Sequence, residues 1–448
     1  MAWAALLLLG AGCMGIAAQE PAQGVAAGST PGTARAATAT PTPAPSPTVT
    51  PSPTPAPTAT PDPRGSVLER RPPEGFQREQ VNQVVGRLYP AGTSLPARYA
   101  VDRHLIRYHS TDEAGAPLEI VAQLFVPRLE GQGGPAARPV LVYGAGTTGL
   151  GDHCAPSREQ PAVRNWGDYL AHGLSYAGQG YITVLPDYAG FNDEGRLQRY
   201  FIADVEGRVL LDAARAVNRF LEETPAAVAP EPAVFFGGYS QGGHAAMAVR
   251  DMAPSYAPEV PIKGVIGHGA STDVAALLRD SPYFAPYVLY SYADYYGREV
   301  VDVSRLLLPR WLPTLGADVT SRCIDAMPAY YGNDARQLYA GPFLDALYNG
   351  RLSQTFPALH DVLERNSTGL VPSEVPVLLL QGTADPIVPS RTQQAFVDRL
   401  CAAGSRVTYR TYASVHHFQT RQVSFKDTLA WMEEILAGRA PRSTCAGP

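Results

Sequence analysis

Ala233-Val234-Phe235-Phe236-Gly237-Gly238-Tyr239-Ser240-Gln241-Gly242-Gly243-His244-Ala245-Ala246-Met247 reads as an apolar strand, a tight turn and a helix in immediate succession. The turn carries Gly-x-Ser-x-Gly. A serine between strand and helix in that pattern is a nucleophile elbow, flanked by glycines because its strained backbone leaves little room for neighbouring side chains. Ser240 is the candidate nucleophile. Glycine and serine are common in plain turns; the strand before and the helix after separate this stretch from them.

The same rhythm extends outward from the elbow. Apolar runs at 139–143, 181–185, 233–236, 262–267 and 375–380 predict strands, separated by helical candidates at 166–179, 205–223, 241–252 and 390–403. Long segments between apolar strands are the mark of a mostly parallel sheet with crossover helices. Residues 99–108 and 118–126 alternate and flank the turn-rich Asp112-Glu113-Ala114-Gly115-Ala116-Pro117, which predicts an antiparallel hairpin entering the sheet. A strand at 406–412 and a helix at 422–436 close the chain. The prediction is one α/β domain over 71–448 with an insertion at about 270–370, because the gap between the strands at 262 and 375 is far longer than a crossover needs. Tyrosines crowd 281–296 at helical spacing, which suits both packed core and the wall of a site.

The 448 residues carry a formal net charge of -5, so there is no basic surplus to suggest a nucleic-acid partner or an anionic membrane surface. The expected partner is a small molecule. Residues 1–18 hold the Leu6-Leu7-Leu8-Leu9 run and then small residues, which fits a secretory signal and is too short for a membrane span. Leu9-Gly10-Ala11-Gly12-Cys13 loosely matches a lipoprotein processing box, in which Cys13 would carry the anchor. Residues 19–70 are rich in Ala, Thr and Pro and cannot bury enough apolar surface to fold, so they read as a spacer outside the cell. Of five cysteines, removing Cys13 leaves Cys154, Cys323, Cys401 and Cys445, read as two disulfides for which spacing permits three pairings.

A serine hydroxyl needs a base to take its proton and an acid to orient the base. Gln381-Gly382-Thr383-Ala384-Asp385-Pro386 follows directly on the 375–380 strand and puts Asp385 at its carboxyl end as the candidate acid; Asp273 is a rival whose surroundings also read as a helix cap. Tyr412-Ala413-Ser414-Val415-His416-His417-Phe418 follows the last strand, where the base should stand. His417 is the candidate base and His416 the reserve; His244 and His268 are assigned to packing or hydrogen bonding. The backbone N–H of Gln241 is one expected oxyanion donor. The second should come from Gly144-Ala145-Gly146-Thr147-Thr148-Gly149-Leu150-Gly151, after the 139–143 strand. This mechanism calls for no metal or organic cofactor, and the cysteines and histidines show no ligand spacing that would argue for one.

Taken together, the chain from about Pro72 onward resembles the secretory lipase family of α/β-hydrolases. The resemblance rests on Pro72-Pro73-Glu74-Gly75-Phe76, Gly146-Thr147-Thr148-Gly149 with Cys154-Ala155-Pro156-Ser157, Leu185-Pro186-Asp187-Tyr188, Gly238-Tyr239-Ser240-Gln241-Gly242-Gly243 and Gly382-Thr383-Ala384-Asp385. It implies the α/β-hydrolase fold, Ser240, Asp385 and His417 as triad, and N–H groups of Gln241 and Thr148, with Thr147 as fallback, as the oxyanion hole. It also implies disulfides Cys154–Cys323 and Cys401–Cys445, a helical lid over an acyl-binding tunnel, and a structural role for Asp187. Ala145 departs from the family's bacterial pattern, which carries histidine there. The expected function is an exported serine ester hydrolase acting on lipid or other apolar esters and making transient contact with a lipid surface. The alternatives are a peptidase or acyltransferase with the same triad, or an inactive hydrolase-fold binding protein.

Overall fold

The computed structural model describes residues 62–129, 135–193, 195–224 and 226–445. The signal segment with Cys13, and the spacer up to residue 61, lie outside the described residues. Among them the strands are β1 (Val67–Arg70), β2 (Glu74–Phe76), β3 (Ala100–Thr111), β4 (Pro117–Arg128), β5 (Ala136–Gly144), β6 (Ile182–Pro186), β7 (Val228–Tyr239), β8 (Ile262–His268), β9 (Val377–Gly382) and β10 (Val407–Tyr412). They form one sheet in the order β1-β3-β4-β6-β5-β7-β8-β9-β10, with β2 also on β3. From β6 to β10 all neighbours are parallel, and β4 joins β6 antiparallel.

The parallel strands are the ones with unbroken apolar runs, because both their faces are covered. Val377, Leu378, Leu379 and Leu380 are all fully buried. Helix α3 (Ala203–Glu223) buries Val205, Val209, Ala213, Ala216 and Phe220, a stripe at helical spacing, and packs with α4 (Gln241–Tyr256) on one side of the sheet. On the other side α1 (Arg78–Leu88), α2 (Tyr169–Ala177) and the last helix, Phe425–Leu436, converge, with the Phe425 ring 5.0 Å from those of Tyr89 and Tyr176. β6 lies on one side of β5 and β7 on the other, so the chain reverses direction across the sheet there. The crevice at the carboxyl ends of such strands is where open α/β sheets bind ligands.

Several boundaries differ from the sequence reading. The fold begins before residue 71: β1 pairs with β3 but leaves Leu68, Glu69 and Arg70 exposed, so it lacks the buried alternation that marks a strand in sequence. Helix α2 starts at Tyr169 rather than at 166, because Asp168 adopts φ 47° and caps the helix by accepting from the Ala171 N–H at 3.2 Å. The closing helix at 422–436 is two pieces, Thr420–Val423 and Phe425–Leu436, divided at Ser424, whose hydroxyl bonds back to the Thr420 carbonyl at 2.6 Å.

Between β8 and β9 the chain forms short helices, opening with α5 (Val274–Asp280) and α6 (Ala285–Tyr296) and ending at Pro357–Arg365. The tyrosine-rich stretch serves two purposes there. Tyr287 and Tyr292 are fully buried and donate to the carbonyls of Arg322 and Phe201, whereas Tyr283 and Phe284 face a cavity at the elbow.

Candidate active site

Ser240 stands between the end of β7 and the first residue of α4, with φ 54° and ψ -112°. A non-glycine residue in such a conformation stores about 1–3 kcal/mol and persists only where its surroundings over-determine it. Here the Ser240 N–H donates to the His268 carbonyl at 3.0 Å, and the Ser271 N–H donates to the Ser240 carbonyl at 3.2 Å. The neighbouring glycines let backbone segments touch. A Cβ on Gly238 would lie 1.9 Å from the Gly242 carbonyl oxygen, and one on Gly242 would lie 1.9 Å from the Gly144 carbonyl oxygen. The first turn of α4 is thereby wedged against the end of β5.

The loop after β9 presents Asp385, and the loop after β10 presents His417. His417 Nδ1 lies 2.7 Å from Asp385 Oδ2, and both side chains are buried. Asp385 Oδ1 accepts from the N–H groups of Ile387 and Val388 at 2.9 and 2.8 Å, and Gln381 Nε2 donates to Oδ2 at 3.1 Å. Burial pushes the Asp385 carboxyl up, but His417 and the two backbone donors outweigh that and hold it below its ordinary value. The Tyr239 ring packs 4.8 Å from the imidazole. Gly269, with φ +54°, leaves just enough room: a Cβ there would be 3.0 Å from His417 Nδ1 and 3.3 Å from Asp385 Oδ2.

The other candidates fall elsewhere. His416 is exposed and sits at the cap of the turn that begins at His417, its N–H donating to Gln419 Oε1. Asp273 caps α5, accepting from the Ala276 N–H at 2.9 Å. His268 is buried behind the elbow between Tyr143 and Thr428, and burial, reinforced by Arg421, pushes its pKa down to about 3. His244 is buried between Glu206 and the Asn366 carbonyl.

The loop after β5 is held on every side. The Gly146 N–H donates to the Tyr169 hydroxyl at 2.8 Å, Tyr188 donates to the Ala145 carbonyl at 2.7 Å, and the Thr147 and Tyr200 hydroxyls are 2.7 Å apart. Ile324 donates its N–H to the Thr148 carbonyl at 2.8 Å, Gly149 pairs with Cys323, and the disulfide Cys154–Cys323 closes the junction. A second disulfide joins Cys401 and Cys445. His153 lies beside Cys154 and Cys323, but those sulfurs are bonded to each other and offer no thiolate to a metal. Asp187 accepts from the N–H and hydroxyl of Ser157 and from Asn192, and burial pushes its carboxyl up to about 6.

Ser240 and His417 line one cavity of about 190 Å³, whose walls also include Thr147, Trp166, Tyr283, Phe284 and Phe418. Thr147 is the member of the Thr147-Thr148 pair that faces this space; the carbonyl of Thr148 is committed to Ile324. Phe418 is 57% exposed beside His417. Trp166, placed by the sequence reading inside a helix, instead stands in a loop whose shape is set by Glu159. That carboxylate accepts the N–H groups of Trp166, Gly167, Asp168 and Tyr169 at 2.6–3.1 Å. Neither Glu159 nor Gly269 carries a local sequence signal, because each acts on residues brought to it by folding.

The sequence pattern of the secretory lipase family matches residues 174–444, more than half of the chain and the part that holds Ser240, Asp385 and His417. The chain belongs to the secretory lipase family. Among its relatives, lipase A of Moesziomyces aphidis is 25% identical over 375 residues, covering 77% of this chain and 74% of that one. The trichothecene C-3 esterase of Fusarium sporotrichioides is 23% identical over 392 residues, covering 82% of each. The crystal structure of the rice cell wall degrading esterase LipA from Xanthomonas oryzae superposes with a TM-score of 0.65 at 18% identity, covering 84% of this chain and 97% of LipA. The fold is that of the α/β-hydrolases. Family and fold together mark an ester hydrolase of the lipase and esterase class.

Proposed function

We propose that this protein is an exported serine ester hydrolase that works through an acyl-enzyme on Ser240. The observation that carries the proposal is the 2.7 Å contact of His417 Nδ1 with Asp385, on an imidazole that shares one cavity with a strained, elbow-borne serine. Ser240 Oγ attacks the ester carbonyl while Nε2 of His417 takes its proton. Asp385 keeps the other ring nitrogen protonated and stabilises the imidazolium as it forms. The carbonyl oxygen becomes an oxyanion received by the N–H of Gln241, which as the first residue of α4 has no helical acceptor, and by an N–H of the Thr147-Thr148 pair. Thr147 is favoured because it faces the cavity. His417 returns the proton to the departing alcohol. Water then attacks the acyl-enzyme with His417 again as base, which frees the acid and Ser240.

The aromatic walls suit an apolar acyl ester, and the exposed Phe418 at the mouth suits contact with a lipid surface. The helices between β8 and β9 are assigned the role of a lid. Export agrees with two disulfides, which persist in oxidising compartments.

Labelling with a fluorophosphonate, followed by p-nitrophenyl ester hydrolysis across acyl lengths, tests the proposal. The native protein should label and turn over, and Ser240→Ala should do neither. Undiminished turnover by Ser240→Ala would overturn it.

A further inference from the structure

Glu206, in the first turn of α3, is 1% exposed, and among the described residues the one titratable side chain in contact with its carboxylate oxygens is His244. A buried carboxylate costs several kcal/mol of desolvation that an apolar side chain of the same size would not incur. What it holds is specific. Oε1 accepts from Gln241 Nε2 at 2.7 Å and from the Phe201 N–H at 3.0 Å, and Oε2 lies 2.7 Å from His244 Nδ1. His244 Nε2 lies 2.7 Å from the Asn366 carbonyl, so each ring nitrogen faces an acceptor.

These bonds reach both sides of the space next to Ser240. Gln241 is the residue after the nucleophile, and its side chain is tied directly to Glu206. Phe201 has φ 55°, a conformation that needs external support, and Glu206 grips its N–H. Next to it, the Tyr200 hydroxyl meets the Thr147 hydroxyl at 2.7 Å. The same turn is gripped from α6, through Ser291 Oγ on the Tyr200 N–H and the Tyr292 hydroxyl on the Phe201 carbonyl.

We infer that Glu206 is a positioning residue for acyl transfer, its carboxylate aligning both sides of the oxyanion hole, Gln241 directly and Thr147 through the Tyr200–Phe201 turn. The inference rests on the proposed role of Ser240. Glu206 touches no substrate; it acts by keeping the donors where the oxyanion develops, and misplacement of donors is expressed in turnover more than in substrate binding.

The test is Glu206→Gln, which keeps the size and removes the charge. Its kcat should fall about tenfold or more with KM within about twofold. Its affinity for an aryl trifluoromethyl ketone, which forms an oxyanionic hemiketal, should fall by the same factor as kcat/KM. If Glu206→Gln does not fold, Tyr200→Phe removes the hydroxyl contact to Thr147 without touching the buried charge, and kcat should fall several-fold at native thermal stability. A folded Glu206→Gln with native kcat, or with lowered kcat and unchanged ketone affinity, overturns the inference, as does a native kcat for Tyr200→Phe where that variant stands in. An inactive, unlabelled native protein would instead refute the reading of Ser240, which keeps the two failures distinct.

Discussion

Gly269→Ala probes how closely the fold holds Asp385 and His417, the proposed acid and base. The position has φ +54°, so any L side chain there is strained, by about 1–2 kcal/mol. The added methyl would also sit 3.0 Å from His417 Nδ1 and 3.3 Å from Asp385 Oδ2, several tenths of an ångström inside ordinary contact. The imidazole, packed against Tyr239, must give way. A displacement of 1 Å costs on the order of 10²-fold in rate, so a shift of several tenths should lower kcat by about tenfold. Gly404→Ala supplies the control: φ is +76° and nothing lies within 4 Å of its Cβ, so the same backbone strain arises without a clash. Urea unfolding should show a loss of about 1 kcal/mol or more for each variant. Steady-state hydrolysis of p-nitrophenyl butyrate should show the kcat loss in Gly269→Ala alone. Native kcat in a folded Gly269→Ala would refute the claim that Gly269 sets the position of His417.

Asp385→Asn should lower kcat by about 10⁴-fold with the protein still folded, since an amide cannot hold the reactive tautomer of His417; a loss under tenfold in ester hydrolysis would count against its role. Asp187, with its carboxyl pushed up to about 6 by burial against about 3.9 when unfolded, keeps a proton between pH 4 and 6 that the unfolded chain has released. Its contribution is therefore fully present below about pH 4 and lost as pH rises through 6, by roughly 3 kcal/mol in all. The urea-derived stability of the native protein minus that of Asp187→Asn should therefore fall by that amount as pH rises across this window, and parallel curves would contradict it. Removing Cys154–Cys323, which spans 169 residues, or Cys401–Cys445, which spans 44, releases chain entropy worth about 5 and about 4 kcal/mol respectively. Only the first loss should also lower kcat, because Cys323 pairs with Gly149 and Ile324 with Thr148; equal kcat effects from both double-alanine variants would contradict that coupling.

What was legible in the sequence follows from how local its cause is. The elbow is written in consecutive residues, since strand, strained turn and helix each leave their mark within a few positions of Ser240. Asp385 and His417, which the fold brings into contact, could be singled out as candidates because each follows an apolar strand at the same end of a parallel sheet, so order along the chain stands in for position in space. His417 rather than His416 faces inward because of the turn after β10, where Ser414 takes φ 60°, and that geometry has no signature beyond the two adjacent histidines. The sequence pattern extends the helix back to Trp166, because the residue that prevents this, Glu159, acts by capturing four N–H groups from a distance of 7 to 10 residues. Glu206 and Gly269 were silent for a stronger reason. One is a charged residue in a helix that otherwise reads as amphipathic, and the other is a glycine in a turn; only the folded arrangement brings them against Gln241 and His417. Short edge strands such as β1 escape detection because they bury almost nothing.

The proposed acyl-enzyme at Ser240 can be trapped by rapid acid quench of the protein mixed with a p-nitrophenyl ester, followed by peptide mass mapping. The expected result is a peptide containing Ser240 that is heavier by one acyl group within the first turnover, accumulates in His417→Ala only slowly, and is absent from Ser240→Ala. Steady hydrolysis with no acyl group on that peptide, or an acyl group on another residue that turns over at the catalytic rate, would contradict it.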